Sequence, residues 1–465
     1  MLRRLPFNFK RIESVSVWSV WAMMFLFALG CIVLYGKNIP LAEDWTLVAP
    51  LTGNEPNFIG WLWSQNNEHR LPLPRLILLG LLKITHGDFR AGMVFSTLTL
   101  ALLSASMVLV VRQSRGGRLI YTDAFFPIAF LNVGNWPNLF WSWQISFVVP
   151  TAIICAVFLV IICNPILATP RTAIFSGLCM VLLPLCGGVG LLLMPFFAVW
   201  LGYCGYLNWQ KAKIKGAGQG ISIFFIGSVL SGLGLSIVYF IDYVRPYWNP
   251  PSPGFEATLK TAVHVLALSL GPAASKSWKL STLVIISLLL IAVGVGVHRI
   301  FRLKGNERQR ATGVLLFFGN LGLFALVLGW GRAGLAPSVG LPIRYVLLTV
   351  PVLCVAYFIW DLYGPHKIRT TAQIALLVVA CALLPFNIKS GLDWGGWYQK
   401  GMEAVKQDIL AGDPPNILAE RHGNFLIHWW DKKQLVKSMQ MLKKAGIGPF
   451  VQMQDDPVIE ESAVY

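Results

Sequence analysis

The chain has 465 residues, of which 55% are hydrophobic, 12% aromatic and only 13% charged. Soluble domains carry about 25% charged residues, so this composition excludes an ordinary soluble protein and predicts one embedded in a membrane over most of its length. The formal net charge of +17 fits either a nucleic-acid partner or an anionic membrane surface, and the positions of the basic residues distinguish the two.

Eleven apolar windows predict an all-α polytopic membrane protein. A helix needs about 20 apolar residues to cross a hydrocarbon core of about 30 Å. The windows lie at 16–35, 91–111, 119–134, 145–163, 172–187, 188–206, 218–240, 281–300, 311–330, 345–362 and 371–387. The first window is long enough to span and no small-residue cleavage site follows it, so we expect it to stay in place as an anchor.

The basic residues predict which side of the membrane each segment faces. With a cytoplasmic N-terminus, the inner segments hold 18 of the 38 Lys and Arg residues, and the short outer loops at 134–143 and 187–190 hold none. This bias is the positive-inside rule. We therefore predict an inner (plasma) membrane protein with a cytoplasmic N-terminus and an extracytoplasmic C-terminus. The charge is then mostly a topology signal, and no nucleic-acid partner is predicted.

Two outer segments are too long to be simple connections. The first outer loop, 36–90, contains "PNFIGWLWSQN" at 56–66 and a short apolar run at 73–84. Both predict helices that lie in the plane of the membrane interface. The tail has mixed helical patterning and predicts a small, mainly helical extracytoplasmic domain. The predicted domains are therefore a transmembrane domain at 1–390 and a tail domain at 391–465.

Two acidic residues, Glu43 and Asp44, follow the first window in the stretch "NIPLAEDWTLVAP". Taken alone, they are most simply carboxylates that face water where a helix leaves the membrane. The stretch "NNEHRLPLPR" in the same loop adds four candidates: Glu68, His69, Arg70 and Arg75. Arginine forks bind phosphate oxygens, and a nearby carboxylate can take a proton from a hydroxyl. The combination predicts a site for a substrate with a phosphate head and an apolar tail, with Asp44 and Glu43 as catalytic carboxylates.

Further candidates lie far along the chain, at the outer ends of predicted spans. The stretch "GWGRAGLAPSVGLPIRYVLL" has Arg332 and Arg344 at either end of one outer loop, and Tyr345 opens the tenth span. Snorkelling arginines and interfacial aromatic anchors are the alternative explanation for these residues. In "NWPNLFWSWQISF", Trp143 and Gln144 are candidates for contact with a sugar ring, and aromatic anchoring is again the alternative.

The sequence predicts no cofactor. The eight cysteines fall inside apolar runs without Cys-x-x-Cys or Cys/His spacing, which indicates packing residues rather than disulfides or metal ligands. No Walker A motif is present, so this chain does not itself drive export with ATP. A divalent metal is compatible with the chemistry, but no pattern of residues supports one.

The order and sidedness of these features resemble the GT-C class of membrane glycosyltransferases, which use polyprenyl-phosphate sugars. The stretches that carry the resemblance, to poorly characterised bacterial members, are "AEDW" at 42–45, "NNEHR" at 66–70 and "GRAGLAPSVGLPIRY" at 331–345. The resemblance covers roughly 10–390 and leaves out the tail. It implies three partners: a polyprenyl-phosphate-linked sugar, a lipid or cell-surface glycan acceptor, and the membrane lipids.

The resemblance also implies roles for individual residues. Asp44 deprotonates the acceptor hydroxyl, which attacks the anomeric carbon of the sugar and releases the lipid phosphate. Arg344 neutralises that phosphate, helped by Arg70 or Arg332. Two more residues, Glu68 and His69, shape the sugar pocket or assist Asp44.

Two other functions stay open. An O-antigen ligase or polymerase uses a polyprenyl-diphosphate donor and usually relies on a large late outer loop, whereas the late loops here are short. A lipid-linked sugar flippase or transporter needs charged residues inside its spans, and these spans hold very few. The glycosyltransferase hypothesis predicts that Asp44, Glu68, Arg70 and Arg344 converge in one cavity at the outer face.

Overall fold

The computed structural model describes residues 7–215, 219–335 and 341–455. The predicted inner residues Arg3 and Arg4, the middle of the late loop (336–340) and the end of the tail (456–465) lie outside the described residues. Within the described ranges the regular structure is almost entirely helical, apart from one hairpin of two short strands, β1 (Gln65–Asn66) and β2 (His69–Arg70).

The helices up to the middle of the chain are α1 (Phe7–Tyr35), α2 (Val48–Leu51), α3 (Phe58–Trp63), α4 (Pro72–Ile84), α5 (Ala91–Ser114), α6 (Phe125–Leu131), α7 (Trp136–Phe140), α8 (Ile145–Cys163), α9 (Pro170–Leu182), α10 (Gly188–Lys215) and α11 (Gly220–Phe240). The later helices are α12 (Phe255–Ala267), α13 (Trp278–Ile300), α14 (Gly305–Arg332), α15 (Val346–Tyr363), α16 (His366–Leu410), α17 (Pro415–Ile427) and α18 (Lys432–Lys444).

Nine helical segments in the described residues are long and apolar enough to cross a membrane, which confirms a multi-pass, all-α membrane protein. They are Arg11–Tyr35, Ala91–Ser114, Ser142–Cys163, Gly188–Ile214, Gly220–Phe240, Pro272–Ile300, Gly305–Arg332, Ile343–Tyr363 and His366–Leu410. Two of the eleven predicted windows differ. The window at 172–187 is the short helix α9 continued by a 3-10 turn, Leu183–Cys186.

The window at 119–134 is wrong as a continuous helix. It divides into a 3-10 turn (Tyr121–Ala124), α6, and a second 3-10 turn (Val133–Asn135). At the second break the side chain of Asn132 accepts a hydrogen bond from the backbone amide of Gly134 at 2.9 Å. A side-chain acceptor of this kind interrupts a helix, because the backbone amide can bond to it instead of to a carbonyl of the preceding turn.

The centre of the bundle is α15: in the apolar part of Ile343–Tyr363, 94% of the residues are buried, against 22% in the apolar part of Gly220–Phe240, which is α11. A helix that is apolar on all sides has no polar face to present to water, so it can be surrounded by other helices or by lipid. Here α15 is enclosed by protein, and α11 presents exposed apolar side chains such as Leu230 and Ile237 at the periphery.

At one end of the bundle a buried polar network joins the end of α5, the 3-10 turn Tyr121–Ala124, α15 and α16. Its members, called the inner cluster, are Arg115, Thr122, Asp123, Tyr357 and Asp361. Arg115 bridges Asp123 at 2.8 Å and Asp361 at 2.6 Å, and both carboxylates are buried. The Tyr357 hydroxyl donates to Asp123 at 2.7 Å, and Gln373 of α16 donates to Asp361 at 3.3 Å.

The predicted boundary between a transmembrane domain and a tail domain falls inside α16. This helix has 45 residues, so it is about 68 Å long, more than twice a hydrocarbon core of about 30 Å. Beyond it, α17, α18 and a 3-10 turn (Gly448–Gln452) fold back onto the first outer loop. The ring of Phe450 stacks edge-on against Trp45 with centroids 5.9 Å apart. The tail is thus helical as predicted but continuous with the bundle.

Candidate functional site

The two acidic residues after α1 lie on a short 3-10 helix, Ala42–Leu47. Ala42, at its start, has a φ of 52°, a left-handed conformation that non-glycine residues rarely adopt. Two indoles hold this helix: Trp141 donates to the carbonyl of Leu41 and Trp61 to that of Thr46, each at 3.2 Å. On this turn the side chains of Glu43 and Asp44 point in different directions.

Asp44 points into the protein. It is 2% exposed, and its Oδ2 accepts a hydrogen bond from the backbone amide of Leu41 at 3.4 Å, as the acidic third residue of a helix does in a capping box. Glu43 instead lines a polar cavity that Asp44 does not reach. The prediction that Asp44 lies with the arginines in the cavity is therefore wrong. The preceding residue on the turn, Glu43, occupies that position instead.

The hairpin supplies the next two side chains. Asn66 pairs with His69 across it, and the loop residue Asn67 has the positive φ, 51°, that tight hairpins need. This turn presents Glu68 at the tip, where its carboxylate forms an ion pair with Arg332, the last residue of α14. The ring of His69 lies 3.9 Å from the same carboxylate.

Residues on either side of the late loop complete the site. Arg332 donates through Nε to the hydroxyl of Tyr345 at 2.7 Å, and Tyr345 is buried. The backbone carbonyl of Arg344 accepts from the side chain of Asn138 at 2.9 Å, which fixes the start of α15. The Arg344 guanidinium then faces the polar cavity together with Arg332.

Two adjoining cavities open at this point. The polar one, about 60 Å³, is lined by Glu43, Glu68, His69, Trp143, Gln144, Arg332 and Arg344, among others. The apolar one, about 400 Å³, continues between α10, α11 and α14, with Leu192, Phe240, Phe324 and Trp330 among its walls. Both share Glu68, His69 and Arg332. The charged residues thus stand at one end of a largely apolar chamber.

The polar groups here are incompletely hydrogen-bonded. Seven residues, called the outer cluster, gather around the polar cavity: Glu43, Glu68, His69, Gln144, Arg332, Arg344 and Tyr345. Five of them have a buried polar atom without a partner, namely Glu43 Oε2, Glu68 Oε2, His69 Nδ1, Gln144 Oε1 and Arg344 Nε. Most buried polar groups in proteins are paired, so a concentration of unpaired ones is typical of a site that binds a polar ligand.

Burial sets the protonation of these groups. It raises the pKa of the Glu43 carboxyl, and the positive charge of Arg344 opposes the increase. Burial also raises the pKa of Asp44 well above its usual range, and the charge of Glu43 adds to this. Burial and the charge of Arg344 lower the pKa of His69 to about 4, so its ring is neutral at pH 7. Burial thus disfavours the charged form of both carboxyls, and the nearby positive charge of Arg344 partly offsets this at Glu43.

Arg70 and Arg75, predicted to bind substrate, have structural contacts instead. The Arg70 guanidinium donates to the carbonyls of Trp63, Tyr239 and Ile241 at 2.8–3.0 Å, which satisfies the end of α11. Arg75 donates to carbonyls at the end of α3, including Ser64 at 2.9 Å. Neither residue lines the two cavities. These two predictions are wrong because each guanidinium is already engaged by the backbone.

The polar cavity also contains residues that the sequence did not single out. Asn66 and Asn67 are next to Glu68 in "NNEHR", so their position on the hairpin was a usable signal. Ser146 follows Gln144 by two residues at the start of α8. Trp248 comes from the loop after α11, and nothing in its surrounding sequence indicates a binding residue.

No family model, curated protein or solved structure matched the chain. Among the described residues, no three His, Cys, Asp or Glu side chains are grouped so as to hold a metal ion.

Proposed function

We propose that the protein is an integral membrane glycosyltransferase that moves a sugar from a polyprenyl-phosphate donor to a lipid or cell-surface glycan acceptor. The observation that carries this proposal is the arrangement of two arginines, Arg332 and Arg344, and a carboxylate with one unpaired oxygen, Glu43, at the polar end of an apolar chamber. A lipid-linked sugar phosphate has the same order of chemistry, with an isoprenoid, a phosphate and a sugar.

The two arginines suit the phosphate. Guanidinium groups bind phosphate oxygens in a bidentate manner and stay charged even when buried. Arg332 and Arg344 flank the junction of the two cavities, where the phosphate would lie with its isoprenoid between α10, α11 and α14. As the bond between the anomeric carbon and the phosphate oxygen breaks, negative charge accumulates on that oxygen, and the arginines stabilise it.

Glu43 suits the general base. The acceptor hydroxyl attacks the anomeric carbon, its proton passes to the Glu43 carboxylate, and the lipid phosphate leaves with the bonding electrons. A base with a raised pKa is the better proton acceptor near neutral pH, and burial supplies that increase. Asp44 has a positioning role, since its hydrogen bond to Leu41 holds the turn that directs Glu43.

The remaining residues of the outer cluster suit the sugar. Glu68, held by Arg332, and the neutral ring of His69 offer an acceptor oxygen and an unpaired ring nitrogen. The Gln144 carbonyl is also unpaired, and Trp143 beside it has the flat apolar face on which sugar rings stack. These groups supply hydrogen bonds in the plane of a sugar ring and one stacking surface.

We further propose eleven crossings of the inner (plasma) membrane, with the N-terminus cytoplasmic and the tail extracytoplasmic. The broken segment 121–144 runs from Asp123, which pairs with Arg115, to Trp143 at the polar cavity, so its ends lie at opposite ends of the bundle. The short helix α9 likewise leads to Gly187, next to the hairpin. Together with the nine long segments, these give an odd number of crossings.

A polyprenyl-diphosphate donor, as in an O-antigen ligase or polymerase, is the second candidate. The presence of two arginines at one cavity favours it, because a diphosphate carries more charge than a monophosphate. The assay below includes both donor classes, and the class that supports turnover decides between them.

The proposal is tested with a matched pair of variants, Glu43→Gln and Asp44→Asn, assayed with panels of polyprenyl-phosphate and polyprenyl-diphosphate sugars. We expect Glu43→Gln to lower kcat by about 10²- to 10⁴-fold, the usual contribution of a general base. Asp44→Asn keeps an oxygen for the Leu41 amide and should lose less than about tenfold.

Thermal unfolding in detergent serves as the folding control for both variants. An equal loss of kcat in Asp44→Asn would indicate that Asp44, and not Glu43, is the general base. Absence of transfer by the parent protein from every donor in either panel would contradict the proposed reaction.

A further inference from the structure

A third cavity, about 460 Å³, lies on the outer side between the end of α1, the start of α5 and the tail. We call it the basic groove; it is lined by Val33, Gly36, Lys37, Asn38, Ile39, Arg90, Lys406, Leu410, Gly448, Pro449 and Gln452. It shares no lining residue with the outer cluster. The proposed sugar transfer therefore does not account for the residues that line this groove.

Three cations and no acidic side chain line this groove. Lys37 forms an ion pair with Glu403 at 2.9 Å, and Arg90 forms one with Asp88 at 2.7 Å. Lys406 has no carboxylate within ion-pair distance among the residues that the structure describes, so the groove keeps a net positive charge. Its cations come from three different elements, and the fold of the tail onto the first loop brings them together.

The groove begins at the membrane. Val33 and Leu34 are 81% and 57% exposed at the outer end of α1, in a segment that crosses the bilayer. Exposed apolar side chains at that depth face lipid, and Lys37 follows within one helical turn. A ligand in this groove therefore meets lipid hydrocarbon on one side and positive charge on the other. The acyl chains of an anionic lipid fit the first and its phosphate fits the second.

We propose that the basic groove binds the phosphate of an anionic membrane lipid, with Lys37, Arg90 and Lys406 as its cations. The polar headgroup extends outward along α16, where Asn38 and Gln452 offer hydrogen-bonding groups. Binding here ties the tail to the first outer loop, because the lipid contacts both. The inference does not depend on the proposed transfer reaction.

The experiment measures lipid binding to the full chain purified in detergent, by native mass spectrometry with phosphatidylglycerol and with zwitterionic phosphatidylcholine. The variant Lys37→Gln/Lys406→Gln removes two cations from the groove. A juxtamembrane cation contributes about fivefold to binding of an anionic lipid, so we expect phosphatidylglycerol to bind about 25-fold more weakly. Phosphatidylcholine binding should not change.

The matched control is Lys83→Gln/Lys400→Gln, which removes two exposed lysines outside the groove. It should bind phosphatidylglycerol as the parent does. Equal binding by the groove variant and the parent, or an equal loss in the control, would overturn the proposal.

Two arms use the parent protein, so the test stands if the variant fails to fold. Raising the salt concentration should remove the preference for phosphatidylglycerol, because screening weakens exposed charges. An unchanged preference would contradict the proposal. Excess inorganic phosphate should not displace the lipid, and displacement by phosphate alone would show that the groove takes a free anion instead.

Discussion

The inner and outer clusters are built from similar residues and differ in how completely those residues are hydrogen-bonded. In the inner cluster each carboxylate meets Arg115 and at least one further donor, and none of its buried polar atoms is without a partner. In the outer cluster five residues each have an unpaired buried atom. Both are buried, so burial alone does not separate a structural ion network from a binding site.

The difference follows from what each cluster is surrounded by. The carboxylates of the inner cluster are buried within the protein, and a buried charge there has to be neutralised by other protein groups. The outer cluster borders a cavity, and its groups can complete their hydrogen bonds with a ligand. We therefore expect changes in the inner cluster to lower stability, and changes in the outer cluster to lower activity with little effect on stability.

The largest expected effect is in the inner cluster. Arg115→Met leaves two buried carboxylates, Asp123 and Asp361, without their counter-charge, which typically costs about 3–5 kcal/mol. Thermal unfolding in detergent should show a large loss of stability. The control is Arg112→Met, an exposed arginine on the same helix, which should change stability little. A destabilisation no larger than that of the control would contradict the structural role.

The second prediction contrasts two arginines that the sequence grouped together. Arg70→Met leaves carbonyls at the end of α11 without donors, each costing about 1–3 kcal/mol, so stability should fall while the folded fraction stays active. Arg344→Met should do the reverse, lowering kcat with a smaller loss of stability, because the Arg344 guanidinium faces the polar cavity and its Nε has no partner to lose. Unfolding curves and transfer assays on the same preparations test both. If Arg70→Met lowers kcat without lowering stability, its assignment as a helix-capping residue is wrong.

The third prediction concerns pH. The pKa of His69 is lowered to about 4 in the folded protein and is about 6.5 in an unfolded chain, so between these values the unfolded state binds more protons. His69 therefore makes stability fall as the pH drops from about 6.5 to 4. His69→Asn should reduce this slope, measured as the unfolding temperature against pH. His86→Asn, at an exposed histidine, is the control and should leave the slope unchanged.

The smallest expected effect is at the turn before Glu43. Ala42 has a φ of 52°, a conformation that costs a residue with a Cβ roughly 1 kcal/mol and glycine little. Ala42→Gly should therefore leave the unfolding temperature unchanged or slightly higher, since the gain offsets the larger entropy of the unfolded glycine. A clear decrease would show that the left-handed conformation is not a source of strain.

Several elements were predictable because their signals are local. Nine of the eleven windows correspond to helices long enough to span, and the helices of the first outer loop occur as α3 and α4. The exception at 119–134 contains Asn132 and Gly134, whose local hydrogen bond competes with the helix. An average of hydrophobicity over a window does not register that competition.

The sequence identified the segments that form the site, but only some of the residues that line it. Of the four residues expected to converge, Glu68 and Arg344 line one cavity, together with Glu43 and Arg332, whereas Asp44 and Arg70 do not. Arg70 could not be assigned from sequence, because its acceptor on Tyr239 lies 169 residues away. A guanidinium engaged by backbone and one that faces a cavity look the same in a sequence.

The sequence by itself determined that this protein is a helical bundle in a membrane, because the length and apolarity of a segment decide whether it can cross a bilayer. It also predicted that acidic residues of the first loop and arginines of the late loop belong to one site. Only the tertiary structure decided that Glu43 rather than Asp44 faces the cavity, and that the tail closes over the first loop. Those outcomes depend on the direction of a single turn and on contacts between distant segments, which no local pattern encodes.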